Sequence, residues 1–326
     1  MIVGPELSDD AAVVRLPTTQ GSELEAPRLV LTTDTIAPIV DGPEEFGAIA
    51  AANAMSDVWA MGGQPLWALN LVFFPDDKLP LSILRRIMDG ARLKCAEANV
   101  AIVGGHSVRN GDLKFGLAVT GMLAPGQRRP LANSRAMPGQ LLVLSKAIGT
   151  GVLGTAIKKG SASAHQIAAA TASMTQLNDK AAALACEHGA TACTDVTGFG
   201  LLGHLRNILR CSRLQARLEL HRIPLLPGAL ELLESGHYPG GSKANLEQVE
   251  GSLLRRYSSN DKLATAQTLL AADAQTSGGL LVCLRAEEAE RMHEELRASG
   301  HQAAIIGELL PAKPREVGQI ELRSGR

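Results

Sequence analysis

Four groups of carboxylates are spaced along the chain: Asp9-Asp10, Asp34, Asp57 and Asp195. Each follows a predicted strand or lies on a predicted helix face. The most informative surroundings are those of the last, Thr194-Asp195-Val196-Thr197-Gly198-Phe199-Gly200-Leu201-Leu202-Gly203-His204. There an acidic residue ends a short apolar strand, and a glycine-punctuated turn opens a helix. Such a turn brings a carboxylate and free backbone N–H groups to one point, which suits phosphate accompanied by a divalent cation. An ordinary strand-to-helix turn has the same appearance. The three other acidic segments shift the reading towards chemistry.

Asn53 and Asp57 are four apart on a predicted helix and so share a face. The rest of that helix is rich in alanine (Ala48, Ala50, Ala51, Ala52, Ala54) and gains no packing from a polar pair turned inward. The alternative is that both face water. Hard cations such as Mg²⁺ take carboxylate oxygens together with substrate phosphates, one or two carboxylates per ion. Carboxylates drawn from separate segments would therefore fit several ions neutralising a polyphosphate. Gly104-Gly105-His106-Ser107 follows a strand and could set backbone N–H groups against phosphate, although Gly-Gly after a strand is commonly just a turn. Pro239-Gly240-Gly241-Ser242 and Gln275-Thr276-Ser277-Gly278-Gly279 carry the same ambiguity. No GxxxxGK[ST] loop occurs. His204, at an apolar helix start, reads as a packed or capping histidine, and no cysteine neighbours a histidine or a basic cluster that would activate it.

Positioning these residues requires alternating strands and helices. Residues 28–33 read as a buried strand ending at Asp34, and 44–61 as a helix with Glu44 and Glu45 at its positive end and Gly62-Gly63 as its stop. Residues 66–74 read as a strand and 81–99 as an amphipathic helix with Ile83, Ile87 and Ala91 inward. Short strands follow at 100–103 and 115–123. The Pro- and Gly-rich segment 124–139 is the candidate domain boundary. Beyond it come a strand at 141–145, one long Ala-rich helix at about 166–188, a helix near 229–235, a loop at 238–245, a strand at 279–284, a helix at 286–299 and a strand near 303–309. The order does not fit simple βαβ winding, and an α+β layout accounts for it.

Composition narrows the classes. The 326 residues are enough for two domains with a sizeable core. Hydrophobic residues make up 45% and aromatics only 3%, which disfavours base-stacking platforms for single-stranded nucleic acid. A formal net charge of −1 leaves no electrostatic footprint for DNA or RNA. Five scattered cysteines without a CxxC pair argue against a disulfide framework or structural zinc and for a reducing compartment. No apolar run is long enough to span a membrane and no signal pattern opens the chain, so a soluble cytoplasmic protein is expected.

Asp9-Asp10-Ala11-Ala12-Val13, Thr32-Thr33-Asp34, Asn53-Ala54-Met55-Ser56-Asp57 with Ala60-Met61-Gly62-Gly63, and Gly104-Gly105-His106-Ser107 occur in that order. They are followed by Thr194 to His204, Pro239-Gly240-Gly241 with Asn245, and Asp273 to Leu280. Together they closely resemble the selenophosphate synthetase (selenide, water dikinase) family of the aminoimidazole ribonucleotide synthetase superfamily, over nearly the whole chain. Ala274 departs from the proline usual in the family. The resemblance implies a two-domain α+β fold, with an ATP- and Mg²⁺-binding and dimerising domain over 1–125 and an α+β domain over 135–316. It implies a homodimer whose N-terminal strands share a β-barrel. It also implies synthesis of selenophosphate, phosphate and AMP from ATP, selenide and water, for selenocysteine and selenouridine synthesis. By position, Asp10, Asp57 and Asp195 would be Mg²⁺ ligands. Asp9, Asp34 and Asp57 would lie at the nucleotide, and Gly105, His106 and Ser107 would reach it from the partner subunit. The competing readings are a sister ATP-dependent enzyme acting on another small molecule and a non-catalytic nucleotide-binding homologue.

The resemblance also implies a glycine-rich segment with a Cys or selenocysteine and a Lys, upstream of the equivalent of Met1, so no catalytic nucleophile is assigned within this sequence. A UGA codon for selenocysteine read as a stop would produce such a start, and translating the upstream DNA through any in-frame UGA tests this. Weak or absent selenide-dependent turnover is expected of a chain without that segment.

Overall fold

The computed structural model describes residues 1–4, 6, 8–17, 26–127 and 129–325. The chain divides into two compact units, Met1–Pro130 with Met174–Asp179, and Leu131–Ser173 with Lys180–Arg326. Both are mixed α+β structures.

The first unit is built on five strands: β1 (Ala12–Arg15), β2 (Arg28–Ile36), β3 (Gly63–Phe74), β4 (Ala101–Arg109) and β5 (Lys114–Leu123). They lie in the order β1-β2-β5-β3-β4, antiparallel except for the parallel pair β3–β4. Helix α1 (Pro43–Ala60) packs on β2, β3 and β5, and α2 (Leu81–Glu97) packs on α1. Side chains alternate across the sheet with the strand period of two. Ala68, Val72, Leu117 and Val119 are buried on the helix side. Leu31, Trp67 and Leu69 stand exposed on the other. Glycine decides how the helices meet. A Cβ on Gly47 would lie 1.9 Å from the Ile87 carbonyl oxygen, and one on Gly90 would lie 2.0 Å from that of Glu44. The two backbones therefore touch at reciprocal points. Gly90→Ala is expected to destabilise the protein by about 1–3 kcal/mol, read as a lowered thermal midpoint. Gly241→Ala, in a helix with open space around that position, should leave the midpoint unchanged or raise it.

The second unit holds β6 (Leu141–Leu144), β7 (Ala192–Asp195), β8 (Leu214–Glu219), β9 (Leu253–Arg256), β10 (Leu280–Leu284), β11 (Ala304–Pro311) and β12 (Ile320–Arg323). Their order is β7-β10-β6-β11-β8-β12-β9, antiparallel except that β12 runs parallel to β8 and β9. Around them lie α3 (Thr150–Lys158), α4 (Ala164–Thr175), α5 (Asp179–Glu187), α6 (Gly200–Ser212), α7 (Ala229–Glu234), α8 (Gly240–Val249), α9 (Lys262–Ala271) and α10 (Ala286–Ala298).

Three local expectations are corrected. The single helix at 166–188 is two helices, α4 and α5, parted near Asn178, whose Nδ2 donates to Ser56 Oγ at 2.8 Å. Alanine content signals helix but not where tertiary hydrogen bonding interrupts it. The loop at 238–245 is largely the start of α8, with Pro239 as the extended residue before it. Gly104-Gly105-His106-Ser107 forms no turn and continues β4, paired with Leu69 to Val72 of β3. The physical reason is close approach, because a Cβ at Gly105 would come 2.4 Å from the Asn70 carbonyl oxygen.

Candidate functional site

In the first unit, Thr32 and Asp34 are two apart on β2 and so point to one face, towards α1. Asn53 and Asp57 are one turn apart on α1 and face back. The four form two rungs. Thr32 Oγ1 donates to Asp57 Oδ2 at 2.5 Å, and Asn53 Nδ2 donates to Asp34 Oδ2. Asn53 is buried, so the pair turns inward and the water-facing alternative is excluded for it. Burial pushes the Asp34 carboxyl above its ordinary value, against hydrogen bonds from the Thr35 backbone and from Asn53 that favour the charged form. Among described residues no cluster of three or more His, Cys, Asp or Glu could hold a metal ion. The donor set still suits a hard cation: two oxygen-bearing carboxylates near one another need phosphate and water to complete a Mg²⁺ sphere, which is how Mg²⁺ sits beside nucleotides.

Asp9 and Asp10 occupy the approach to β1, half-buried, each with its Oδ2 shielded from solvent. Gly105, His106 and Ser107 are exposed along β4, at the edge of the sheet.

Asp195 belongs to the second unit. It is the last residue of β7 and is 1% exposed. The turn after it is tied down by His204 of α6. His204 Nε2 accepts the Thr197 backbone N–H at 3.1 Å, and Nδ1 lies 3.2 Å from Thr194 Oγ1. An accepting Nε2 leaves the proton on Nδ1, directed at Thr194. His204 thus brackets Asp195 from both sides as a packed, neutral imidazole. The spacing Gly198-x-Gly200-x-x-Gly203, missed in the sequence reading, is that of a dinucleotide fingerprint. Here, however, among the described residues β7 pairs only with the antiparallel β10, so no βαβ unit surrounds it.

Burial lowers the His204 pKa from 6.5 to about 4. The unfolded chain therefore takes up a proton that the folded chain refuses. Stability from this group is complete above pH 6.5 and is lost as pH falls towards 4. Between pH 7 and 5 the loss should be about 2 kcal/mol, measured as the urea midpoint, and His204→Gln should lose less. The comparison isolates His204 from Asp273, whose burial raises its carboxyl to about 6 and acts in the opposite sense.

The Gln275 to Gly279 stretch is an anchoring segment. Asp273 Oδ2 accepts the N–H groups of Gly151 and Val152 at 3.0 and 3.2 Å, and Ser242 Oγ donates to its Oδ1 at 2.7 Å. Gln275 Oε1 accepts from the Gly149 and Thr150 backbone N–H groups. Together they cap the start of α3 and join it to α8. Asn245 Nδ2 donates to the Gly198 and Ala272 carbonyls, holding the Asp195 turn against the same segment. A residue that sequence reasoning missed is Lys146, fully buried just beyond β6, with Nζ donating to the Ser277 carbonyl at 3.1 Å. A lysine closing an apolar strand was the available signal. Lys146 and Asp195 flank the same end of β10, where Val196 N–H donates to the Gly279 carbonyl at 2.9 Å.

Residues 8–123 match the family described as AIR synthase related protein, N-terminal domain, and residues 137–318 the corresponding C-terminal domain. The chain is 44% identical to the selenide, water dikinase of Myxococcus xanthus (strain DK1622), over 96% of this chain and 86% of that protein. It is 38% identical to the selenide, water dikinase of Haemophilus ducreyi (strain 35000HP / ATCC 700724), again over 96% and 86%. In fold it resembles hydrogenase maturation protein HypE, with TM-score 0.69 and 19% identity over 99% of this chain and 92% of that one. It also resembles thiamine-monophosphate kinase from Stenotrophomonas maltophilia K279a, with TM-score 0.66 and 17% identity over 91% and 85%.

Proposed function

The chain belongs to the selenide, water dikinase family of AIR synthase related proteins, and from that premise we propose that it makes selenophosphate. ATP, selenide and water are consumed, and selenophosphate, phosphate and AMP are released. The observation that carries this reading is that the likeness to selenide, water dikinases runs through both units and not one alone. No helix among the described residues is long and apolar enough to cross a membrane.

In the first unit Asp10 and Asp57 would hold Mg²⁺ with the ATP phosphates, and Asp9, Asp34 and Asp57 would lie at the nucleotide; in the second unit Asp195 would be a Mg²⁺ ligand. Mg²⁺, when bound, supplies the positive charge that offsets the triphosphate. Thr32 and Asn53 orient the two first-unit carboxylates through one hydrogen bond each. His204 orients the Asp195 turn.

Two copies would complete the site. Among the described residues, β1 covers only residues 28–31 of β2, so 32–36 has a strand partner on one side alone, and β4 is the other sheet edge. A twofold pair joining each β4 to its partner's β2 edge would close a barrel over Leu31, Trp67 and Leu69. It would also carry the partner's His106 and Ser107 towards Asp34. Trp67→Glu is expected to yield monomer by light scattering. An unchanged dimer mass for that variant would point to a different interface.

The functional reading is tested by incubating the chain anaerobically with ATP, Mg²⁺ and selenide and following ³¹P NMR. A parallel sample carries the Gly-rich Cys/Lys segment that the family resemblance places upstream. A selenophosphate signal with matching AMP in either sample is the expected result. ATP turnover without selenophosphate in both samples would assign the chain to other chemistry.

A further inference from the structure

We propose that Asn178, in the connection between α4 and α5, is a positioning residue for the Asp57 carboxylate. Through Ser56 it fixes the rotation of α1, and with it the direction in which Asn53 and Asp57 point. That Asp57 is a Mg²⁺ ligand rests on the function proposed above; the bond to Ser56 and the helix it holds do not.

The need for such a residue follows from the composition of α1. Every residue from Ile49 to Ser56 is buried, about two turns of helix with no face left to solvent. Ala50, Ala51, Ala52 and Ala54 give this stretch a nearly even coat of methyl groups. Turning such a helix about its axis exchanges one methyl for another, so apolar packing specifies its rotation weakly. Buried polar side chains specify it strongly, because a wrong rotation leaves them unpaired away from water.

The polar contacts of α1 leave it in different directions. Asn53 and Asp57 meet Asp34 and Thr32 of β2. Ser56 lies about 60° round the helix from Asn53, and Asp57 about 40° to the other side of Asn53. Ser56 is fully buried, and its Oγ accepts Asn178 Nδ2 at 2.8 Å. Bonds to β2 set the helix against one strand. A bond from another element, off that face, removes the remaining freedom to roll. Asn178 can do this because its own place is set: it is buried between Leu177, also buried, and the first residue of α5, and Met174–Asp179 packs as part of the first unit. Without Asn178, the Ser56 hydroxyl can turn to the helix carbonyl four residues back. The helix then persists while its tether is gone.

The test is Mn²⁺ binding to the full chain, read by electron paramagnetic resonance beside a non-hydrolysable ATP analogue, with Mn²⁺ standing in for Mg²⁺. The parent is compared with Asn178→Ala, Ser56→Ala, their double variant and Asp57→Asn, and thermal midpoints are taken on the same preparations. Asn178→Ala and Ser56→Ala are each expected to weaken Mn²⁺ about tenfold or more. The double variant should weaken it no further, because both changes remove one and the same bond. Lowered midpoints with parental Mn²⁺ affinity would mark Asn178 as merely structural and overturn the proposal. Additive losses in the double variant would do the same. Ser56→Ala keeps a strong helix former and carries the test by itself should Asn178→Ala fail to fold. Weakened binding in Asp57→Asn alone would overturn the proposal and leave the functional reading standing. Parental affinity in Asp57→Asn would overturn the assignment of Asp57, and the proposal with it.

Discussion

Asp57→Asn is expected to lower ATP-dependent turnover about 10²–10³-fold while the protein still folds. Asparagine has nearly the same shape and can still accept the Thr32 hydroxyl through its Oδ1, so the 2.5 Å rung between β2 and α1 survives. What disappears is one of two negative charges held near each other at the end of a helix face. A single carboxamide oxygen is a much poorer ligand for a hard cation than a carboxylate. Burial raises the pKa of Asp34, and the replacement leaves that burial and both rungs in place. The thermal midpoint is therefore expected to hold while turnover collapses. That split separates a functional carboxylate from a structural one. Phosphate release and thermal unfolding measured on the same preparations check it. Turnover within threefold of the parent would remove Asp57 from the site.

Gly278→Ala should act through the fold instead. A Cβ there would lie 2.0 Å from the Val196 carbonyl oxygen, and one at Gly279 would lie 2.5 Å from the Lys146 backbone nitrogen. These neighbours are backbone atoms of strand ends and cannot rotate away as a side chain would. A loss of about 3 kcal/mol is expected, with turnover falling too, because the strain enters at Val196, next to Asp195. Gly198→Ala is the control: open space surrounds that position, and stability should be unchanged. Denaturant midpoints of the two variants against the parent decide the matter, and equal midpoints for all three would show that the segment yields more easily than its geometry indicates.

Much of the candidate site's local arrangement was legible because it is set by sequence spacing. The four-residue spacing of Asn53 and Asp57 places them on one helix face wherever the helix lies, and Asp195 ends its strand as the apolar run before it requires. Gly104 to Ser107 misled for the same reason, since glycines after an apolar run read as a turn. They are glycines because β4 passes close to the backbone of β3 at Asn70, a contact between residues some thirty-five positions apart. The break between α4 and α5 likewise depends on Asn178 finding Ser56. No window on either segment contains the other.

By itself, the sequence determined the periodic elements, the order of the carboxylates and the family to which their pattern belongs. These follow from the 3.6- and 2-residue periods and from residue types that chemistry restricts. The tertiary structure alone decided which oxygens of Asp34 and Asp57 are committed to Asn53 and Thr32. It also decided that His204 is a neutral clamp on the Asp195 turn, and that Asp273 and Gln275 cap α3 across more than 120 residues. Hydrogen bonds and burial are properties of pairs brought together in space. Desolvation, which moves the pKa of Asp34, His204 and Asp273, exists only after the surrounding chain has closed over them.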